Sequence, residues 1–460
     1  MSNQRIHRIG PPVQTPLEIK KKSGLKRLRS IYRKRYKKYR LIRVSVKWLW
    51  KTLYPQWGKL SYYADFFLKK VEDFSGWHNL VALQQFVEST GAEIIEVAKP
   101  DIVSVPTDVL SMAQAGSKVI SLQERYVCPG LYVAKINGAM AHGGTNLVSS
   151  SRAVICHDLF DIRRDFTSEE LHGRMFIRKV SRQVRWRRVD KQPVELSVAA
   201  NFVDACAPNY AHWLTEVLPR ICVFCSISEL SDVPIIVNDG LHPNIMESLF
   251  QIIGEDRDVI LIPIGRSAKV NVLYVTSVAG YVPFDRRPKS KQPLSHGVFS
   301  PWAFNHMKTR VGCNDVVDGS SVPSCKLYLR RNSGIRRVVN AGELESLLIA
   351  RGFEIVEPEK LSFAQQLALF RRADVIISSS GAALANIIFA KKMARIIVLI
   401  GEHVGTSYGY WPNIASAAGG KVQYILANPL NWKVDGIHSD LYIDLRVIRE
   451  VLDDETMGTP

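Results

Sequence analysis

The sequence has no run of 18 or more consecutive apolar residues, which argues against a membrane-spanning helix. Its first 30 residues are basic but lack the apolar stretch of a secretory signal, so none is expected there. Cysteine is sparse: seven in 460 residues, odd in number and scattered, which fits reduced thiols in a cytoplasmic protein better than a disulfide framework. Only Cys222 and Cys225 stand close together. They share an apolar, helix-like run with no second such pair, so core packing is favoured over metal or redox chemistry. There is no GxGxxG fingerprint and no P-loop lysine, so neither a dinucleotide fold nor a P-loop enzyme is indicated. No internal repeat or low-complexity linker divides the chain.

Charge is plentiful but unevenly placed. The formal net charge is +18, yet residues 1–60 hold eighteen Lys and Arg against the single acid Glu18. The remaining 400 residues are nearly neutral, with 43 basic and 42 acidic side chains. Between Lys20 and Trp57 the basic residues alternate with Tyr32, Tyr36, Tyr39, Trp48, Trp50, Tyr54 and Trp57. Basic residues with interfacial aromatics suit a helix lying on an anionic membrane surface. A solvated extension and nonspecific RNA binding are the other readings of the same segment.

The hydrophobic pattern divides the rest. Residues 61–193 read as a mixed module: a helical start from Tyr62 to Ser89, then short strands around Gly130 to Ile136 and Ala141 to Val148. Residues 194–310 and 311–460 each alternate strand-like and helical runs. In the second series Asn340-x-x-Glu343 and Ser362-x-x-Gln365 mark helix starts, and Gly352 marks a helix end. This β-α-β order predicts parallel, doubly wound sheets that bind ligands at the carboxyl ends of their strands.

Three groups of residues can carry chemistry there. Ser378-Ser-Ser-Gly-Ala-Ala-Leu-Ala-Asn386 follows a buried strand; its small residues admit either a phosphate at a helix start or close packing of helix on sheet. Arg330, Arg331, Arg336 and Arg337 follow another strand, as a guanidinium clamp for a diphosphate or as a basic surface loop. His212 and Glu216, spaced i, i+4, share one helical face. They read as a general base with its orienting carboxylate, as a structural pair, or as two metal ligands lacking an evident third. Asp204 is a further carboxylate eight residues upstream.

Taken in order, Asn209-Tyr-x-His-Trp-Leu-x-Glu-x-Leu-Pro-Arg220, the arginine segment through Asn340, Gly352-Phe-Glu-x-Val-x-Pro-Glu359 and Gly381-Ala-x-Leu-Ala-Asn386-x-x-Phe389 resemble the glycosyltransferase 61 family, over roughly Tyr132 to Leu426. The resemblance implies a GT-B-like α/β fold: an acceptor lobe over 194–310 and a donor-binding lobe over 311–460. It implies an inverting glycosyltransferase that needs no metal or other cofactor beyond its nucleotide-sugar donor. Arg331 and Arg337, with Arg336, are then expected on the donor diphosphate, and Ser380, Gly381, Ala382 and Asn386 at the phosphate turn. His212, Glu216 and Asp204 would face the acceptor, and Glu402 a ribose or sugar hydroxyl. Many members carry His where this chain has Ser380. The lack of a membrane anchor favours the bacterial, surface-polysaccharide branch. Its acceptor would be a growing or lipid-linked glycan at the inner face of the cytoplasmic membrane, with residues 1–60 on the anionic lipid and no specific nucleic acid as partner. The alternative is a non-catalytic scaffold on a degenerate transferase fold, recruited to membrane or RNA by its basic segment.

Overall fold

The computed structural model of the chain describes residues 6–10, 76–105, 108–113, 116–121, 124–151, 153–171, 175–186, 190, 192–254, 256–285, 297–313, 324–332, 334–392, 394–403, 406–431 and 436–453. The membrane-surface reading of residues 1–60 therefore falls outside the described residues, except at 6–10. There Ile6–Arg8 forms an edge strand, parallel to Val259–Ile262.

The architecture is α/β, with parallel strands in two large sheets. Uninterrupted apolar strands such as Ile235–Asn238 and Val259–Ile262 are covered on both faces, as parallel strands between helices are. They join Val194–Asn201 and Ser267–Thr276 in parallel register within a twelve-stranded sheet. The long strand Leu131–His142 then runs antiparallel to Ser267–Thr276. Strands from residues 61–193 enter both sheets, because Asp108–Ala113 pairs with Lys421–Pro429 of the other one. Part of the helix expected from Tyr62 to Ser89 is instead the strand His78–Ala82, held parallel to Ala153–Cys156; the helix itself spans Leu83–Thr90.

The second sheet has eight strands. Its parallel core runs across the sheet as Phe353–Val356, Cys325–Leu329, Ala373–Ser379, Arg395–Gly401 and Lys421–Pro429. The chain leaves Cys325–Leu329 for a neighbour on one side, then returns to build on the other. The strand order thus reverses between Cys325–Leu329 and Ala373–Ser379. Such a reversal splays the two outgoing connections apart and opens a crevice at the carboxyl ends.

The helix signals were met unequally. Ser362 and Gln365 form the full reciprocal capping box at the start of Phe363–Arg372. Asn340 does not cap its helix with its side chain; that amide instead bonds both the N–H and the carbonyl of Ile443. The segment after Gly381 is a 3₁₀-helix, Ala382–Phe389, fully apolar except for Asn386.

The two sheets share one apolar cluster. It runs from Ile235 and Val237 through Trp213, Leu218 and Phe304 to Phe363, Phe389 and Ile396. All seven cysteines are free, and Cys222 and Cys225 are buried in the helix Leu218–Cys225. Two polar ties cross the same interface. Glu247 accepts bonds from the N–H groups of Phe363 and Ala364 at 2.8 and 3.0 Å, where the next helix starts. Asn386, wholly buried, accepts from the Tyr210 hydroxyl at 2.9 Å and donates to Gln366 at 2.7 Å and to the Ala383 carbonyl at 3.0 Å.

Asn386→Ala removes the closest partner of both the Tyr210 hydroxyl and the Gln366 amide oxygen, leaving them only their 3.5 Å contact with each other. It should lower stability by about 2–4 kcal/mol in urea denaturation. Tyr210→Phe removes one donor and should cost about 1–2 kcal/mol.

Candidate functional site

A cleft of about 1290 Å³ opens where the carboxyl ends of the second sheet meet the helix that begins at Tyr210. Each side is shaped by a local departure from regular structure. On the first side, Asn209 caps the helix start by accepting from the Ala211 N–H at 3.0 Å. The turn from Trp213 to Val217 is a π-helix. Pro219 has no N–H to offer the Thr215 carbonyl four residues back, so the turn widens there. Gly280 fills the space beside it: a Cβ at that position would lie 1.9 Å from the Thr215 oxygen.

This turn presents His212 to the cleft and Glu216 to the interior behind it. The His212 Nδ1 is hydrogen-bonded to a Glu216 oxygen, and the second Glu216 oxygen accepts from the Val282 N–H at 3.3 Å. The ring lies against Phe284, with centroids 5.9 Å apart. Burial alone would discharge the imidazole. The Glu216 carboxylate and its hydrogen bond outweigh that, with Asp204 adding to them, and the pKa is raised above the ordinary 6.5. With Nδ1 occupied, Nε2 is the ring nitrogen left for a ligand.

Asp204 takes another role. It lines a separate cavity of about 70 Å³ rather than the cleft. Its carboxylate pairs with Arg220 at 3.0 Å and accepts from the Asn146 amide and the Cys206 N–H. Arg220 in turn donates to the Glu216 carbonyl at 3.1 Å. Asp204 therefore steadies the turn that carries the His–Glu pair instead of facing the cleft.

On the opposite side the crevice of the second sheet holds the arginines, and the structure sorts them. Arg330 is neutralised by Glu345 and Glu357. Arg337, expected on the diphosphate, is bonded to Asp440 at 2.8 Å and is not among the cleft-lining residues. Arg331 and Arg336 line the cleft, and neither has a carboxylate at ion-pair distance among the described residues. Arg331 is anchored to the Ile335 carbonyl at 2.9 Å, with its guanidinium lying over Gly381. A Cβ at 381 would come 2.1 Å from its Nη1. Arg336, in the left-handed backbone region at φ 55°, reaches Ser380 Oγ at 3.4 Å and leaves a buried Nε without a partner. Burial and the neighbouring Arg331 charge hold its pKa down, to about 10.

Ser380, Gly381 and Ala382 line the cleft as expected. Ser380 Oγ also accepts from the Trp411 indole at 3.1 Å. Asn386 does not line it; it is the interface tie described above. Glu402 lies just beyond the lining, beside Gly401 and His403. The sequence reading passed over Tyr410, which lines the cleft, bonds Thr215 of the π-turn and feels the charges of both Glu216 and Arg336. Ser379 stood inside the quoted Ser378–Asn386 segment without being singled out; its buried Oγ has no partner among the described residues. Tyr210 stood inside a quoted motif and could have been singled out. Nothing in local sequence marks Tyr410, which enters from a helix almost 200 residues after His212.

Residues 210–397 match the family model described as Glycosyltransferase 61. The match runs from Tyr210 into the strand Arg395–Gly401, so it takes in His212, the arginine segment and the Gly381 turn, over a shorter span than the motifs suggested. It bears out the resemblance and implies glycosyltransferase activity in general terms. No curated protein matches the chain.

Glu216→Gln removes the charge that sustains the His212 proton while leaving the burial, so the His212 pKa should fall below 6.5 in an NMR titration of the imidazole. A raised folded pKa stabilises the fold fully below the unfolded value near 6.5, and that contribution fades as pH rises through the folded value. The parent should show this loss of stability above pH 6.5, and the variant should not.

Proposed function

We propose that the protein is an inverting glycosyltransferase that moves a sugar from a nucleotide-diphosphate donor to a hydroxyl of a growing surface glycan. The carrying observation is the pair Arg331 and Arg336: two guanidiniums without carboxylate partners, side by side at the topological reversal of a parallel sheet. Cations in a half-buried crevice with no carboxylate at ion-pair distance are matched by an anion of similar charge, and the donor diphosphate supplies it.

In this reading the donor lies along the second sheet, with its diphosphate on Arg331, Arg336, Ser380 and the N–H groups at the start of Ala382–Phe389. Gly381 lets Arg331 close over the phosphate, and Glu402 stands near enough to the rim for a ribose or sugar hydroxyl. The acceptor enters beside Phe284, and its hydroxyl proton passes to His212 Nε2. The acceptor oxygen then forms its bond to the anomeric carbon from one face. The bond to the phosphate oxygen breaks on the other, and its electron pair leaves with the diphosphate. A single displacement of this kind inverts the anomeric centre. Glu216 holds the imidazole tautomer and stabilises the imidazolium that forms. The two arginines take the charge that a divalent metal would otherwise neutralise, which supports a metal-independent reaction. A GT-B-like arrangement, with an acceptor side over 194–310 and a donor side over 311–460, accommodates this division of labour. The basic segment 1–60 would keep the enzyme on anionic lipid at the inner face of the cytoplasmic membrane, close to a lipid-linked acceptor.

The test is a thermal-shift screen of nucleotides and nucleotide sugars, with and without magnesium or manganese. A ligand at 100 times its Kd stabilises the fold by about 2.7 kcal/mol, a readily visible shift. Arg331→Ala and Arg336→Ala should each weaken nucleotide-diphosphate binding by about 1.5–3 kcal/mol, some 10- to 150-fold. Arg337→Ala should leave it within about twofold, because that side chain serves Asp440. If no nucleotide shifts the midpoint under any condition, the enzymatic reading fails and a binding scaffold takes its place.

A further inference from the structure

The near-neutral body conceals a second concentration of charge. From Arg174 to Arg188 the chain carries seven basic residues and no acid, within a 400-residue stretch that is otherwise slightly acidic. Much of this run is a hairpin at the far end of the twelve-stranded sheet, in which Met175–Arg178 is the edge strand and pairs with Gln183–Trp186. Its tip, Lys179-Val180-Ser181-Arg182, projects into solvent, and Arg178 is exposed with it. Val180 is completely exposed, at 103%. The tip is nevertheless a built turn: Arg182 sits at φ 49°, and its carbonyl accepts from the Leu80 N–H at 2.8 Å.

An aromatic residue completes the arrangement. The half-exposed indole of Trp77 lies under two guanidiniums, with Arg178 Cζ 3.9 Å and Arg185 Cζ 5.1 Å from its ring centroid. Arg178, Lys179 and Arg182, the three basic side chains at the tip, are exposed and form no ion pair with an acid among the described residues. No feature of the cleft uses them.

We infer that the hairpin Met175–Trp186 is a docking element for an anionic lipid surface, with Arg178, Lys179 and Arg182 on the headgroups and Val180 at headgroup depth. Charge complementarity favours an anionic partner. A convex tip led by a bare valine and backed by a tryptophan fits a lipid interface, where apolar tips and indoles gain by leaving water. A single-stranded RNA calls for a basic groove with stackable rings, and this tip is not a groove. The inference does not depend on the donor or acceptor assignment, since the hairpin lies outside the cleft.

The test is vesicle co-sedimentation of the full chain, comparing phosphatidylcholine alone with phosphatidylcholine containing 30 mol% phosphatidylglycerol as the probe. The parent should partition onto the anionic vesicles only. The variant Lys179→Glu, Val180→Asp, Arg182→Glu should lose about 30-fold or more in partition, since each basic residue at such a surface contributes roughly a fivefold factor. All three side chains are exposed, so the thermal midpoint should be unchanged and the loss cannot be laid to misfolding. A partition equal to the parent's overturns the inference. So does a variant that keeps its vesicle binding and loses affinity for polyuridylate RNA.

Discussion

Two like charges held together in a half-buried crevice set the terms for the rest of this molecule. Arg331 and Arg336 repel one another, and water that would screen them is partly excluded, which is why the Arg336 proton is held less firmly than usual. The chain tolerates this because their positions are fixed by things other than their charges. One guanidinium is tied to a carbonyl across a tight loop. The other departs from a backbone conformation that few side chains adopt. Neighbouring arginines show the opposite solution: Arg330 and Arg337 each have carboxylates close by and are electrostatically quiet. The same short segment therefore separates cations with a carboxylate partner from cations without one by what lies nearby, not by residue type.

That separation explains how far the sequence could be read. The strand and helix order of the second sheet, the Ser362 capping box and the burial of Cys222 and Cys225 follow from local pattern, and local pattern is what a sequence displays. The motifs that suggested a glycosyltransferase were also local, and the family match covers their centre. What was not legible depends on residues distant in the chain. Asp440, a hundred residues downstream, claims Arg337; Arg220 claims Asp204; Tyr210 and Gln366 claim Asn386. Asn340 was expected to cap a helix, yet Ile443 offered its side chain two backbone partners at once. One feature was within reach and went unread: Pro219, placed four residues after Thr215, announces the missing hydrogen bond of the π-turn.

The cavity behind His212 shows how the imidazole is held in place. Glu216 has one oxygen on the imidazole and the other on a backbone N–H, so its carboxylate cannot rotate without losing a bond. Arg220 clasps the carbonyl of the same residue while its charge is met by Asp204. Charged groups that never reach the cleft thus determine the direction in which the free ring nitrogen points.

The Tyr210–Asn386–Gln366 bonds also bear on how the site is spaced. Tyr210 stands two residues before the imidazole, and Asn386 five residues after the glycine that admits the guanidinium. The bond between them is 2.9 Å long, and the amide at its centre is buried. Stretching it would leave the buried Asn386 oxygen without its donor. It therefore acts as a spacer, setting the distance between the segment that carries the imidazole and the turn at Gly381.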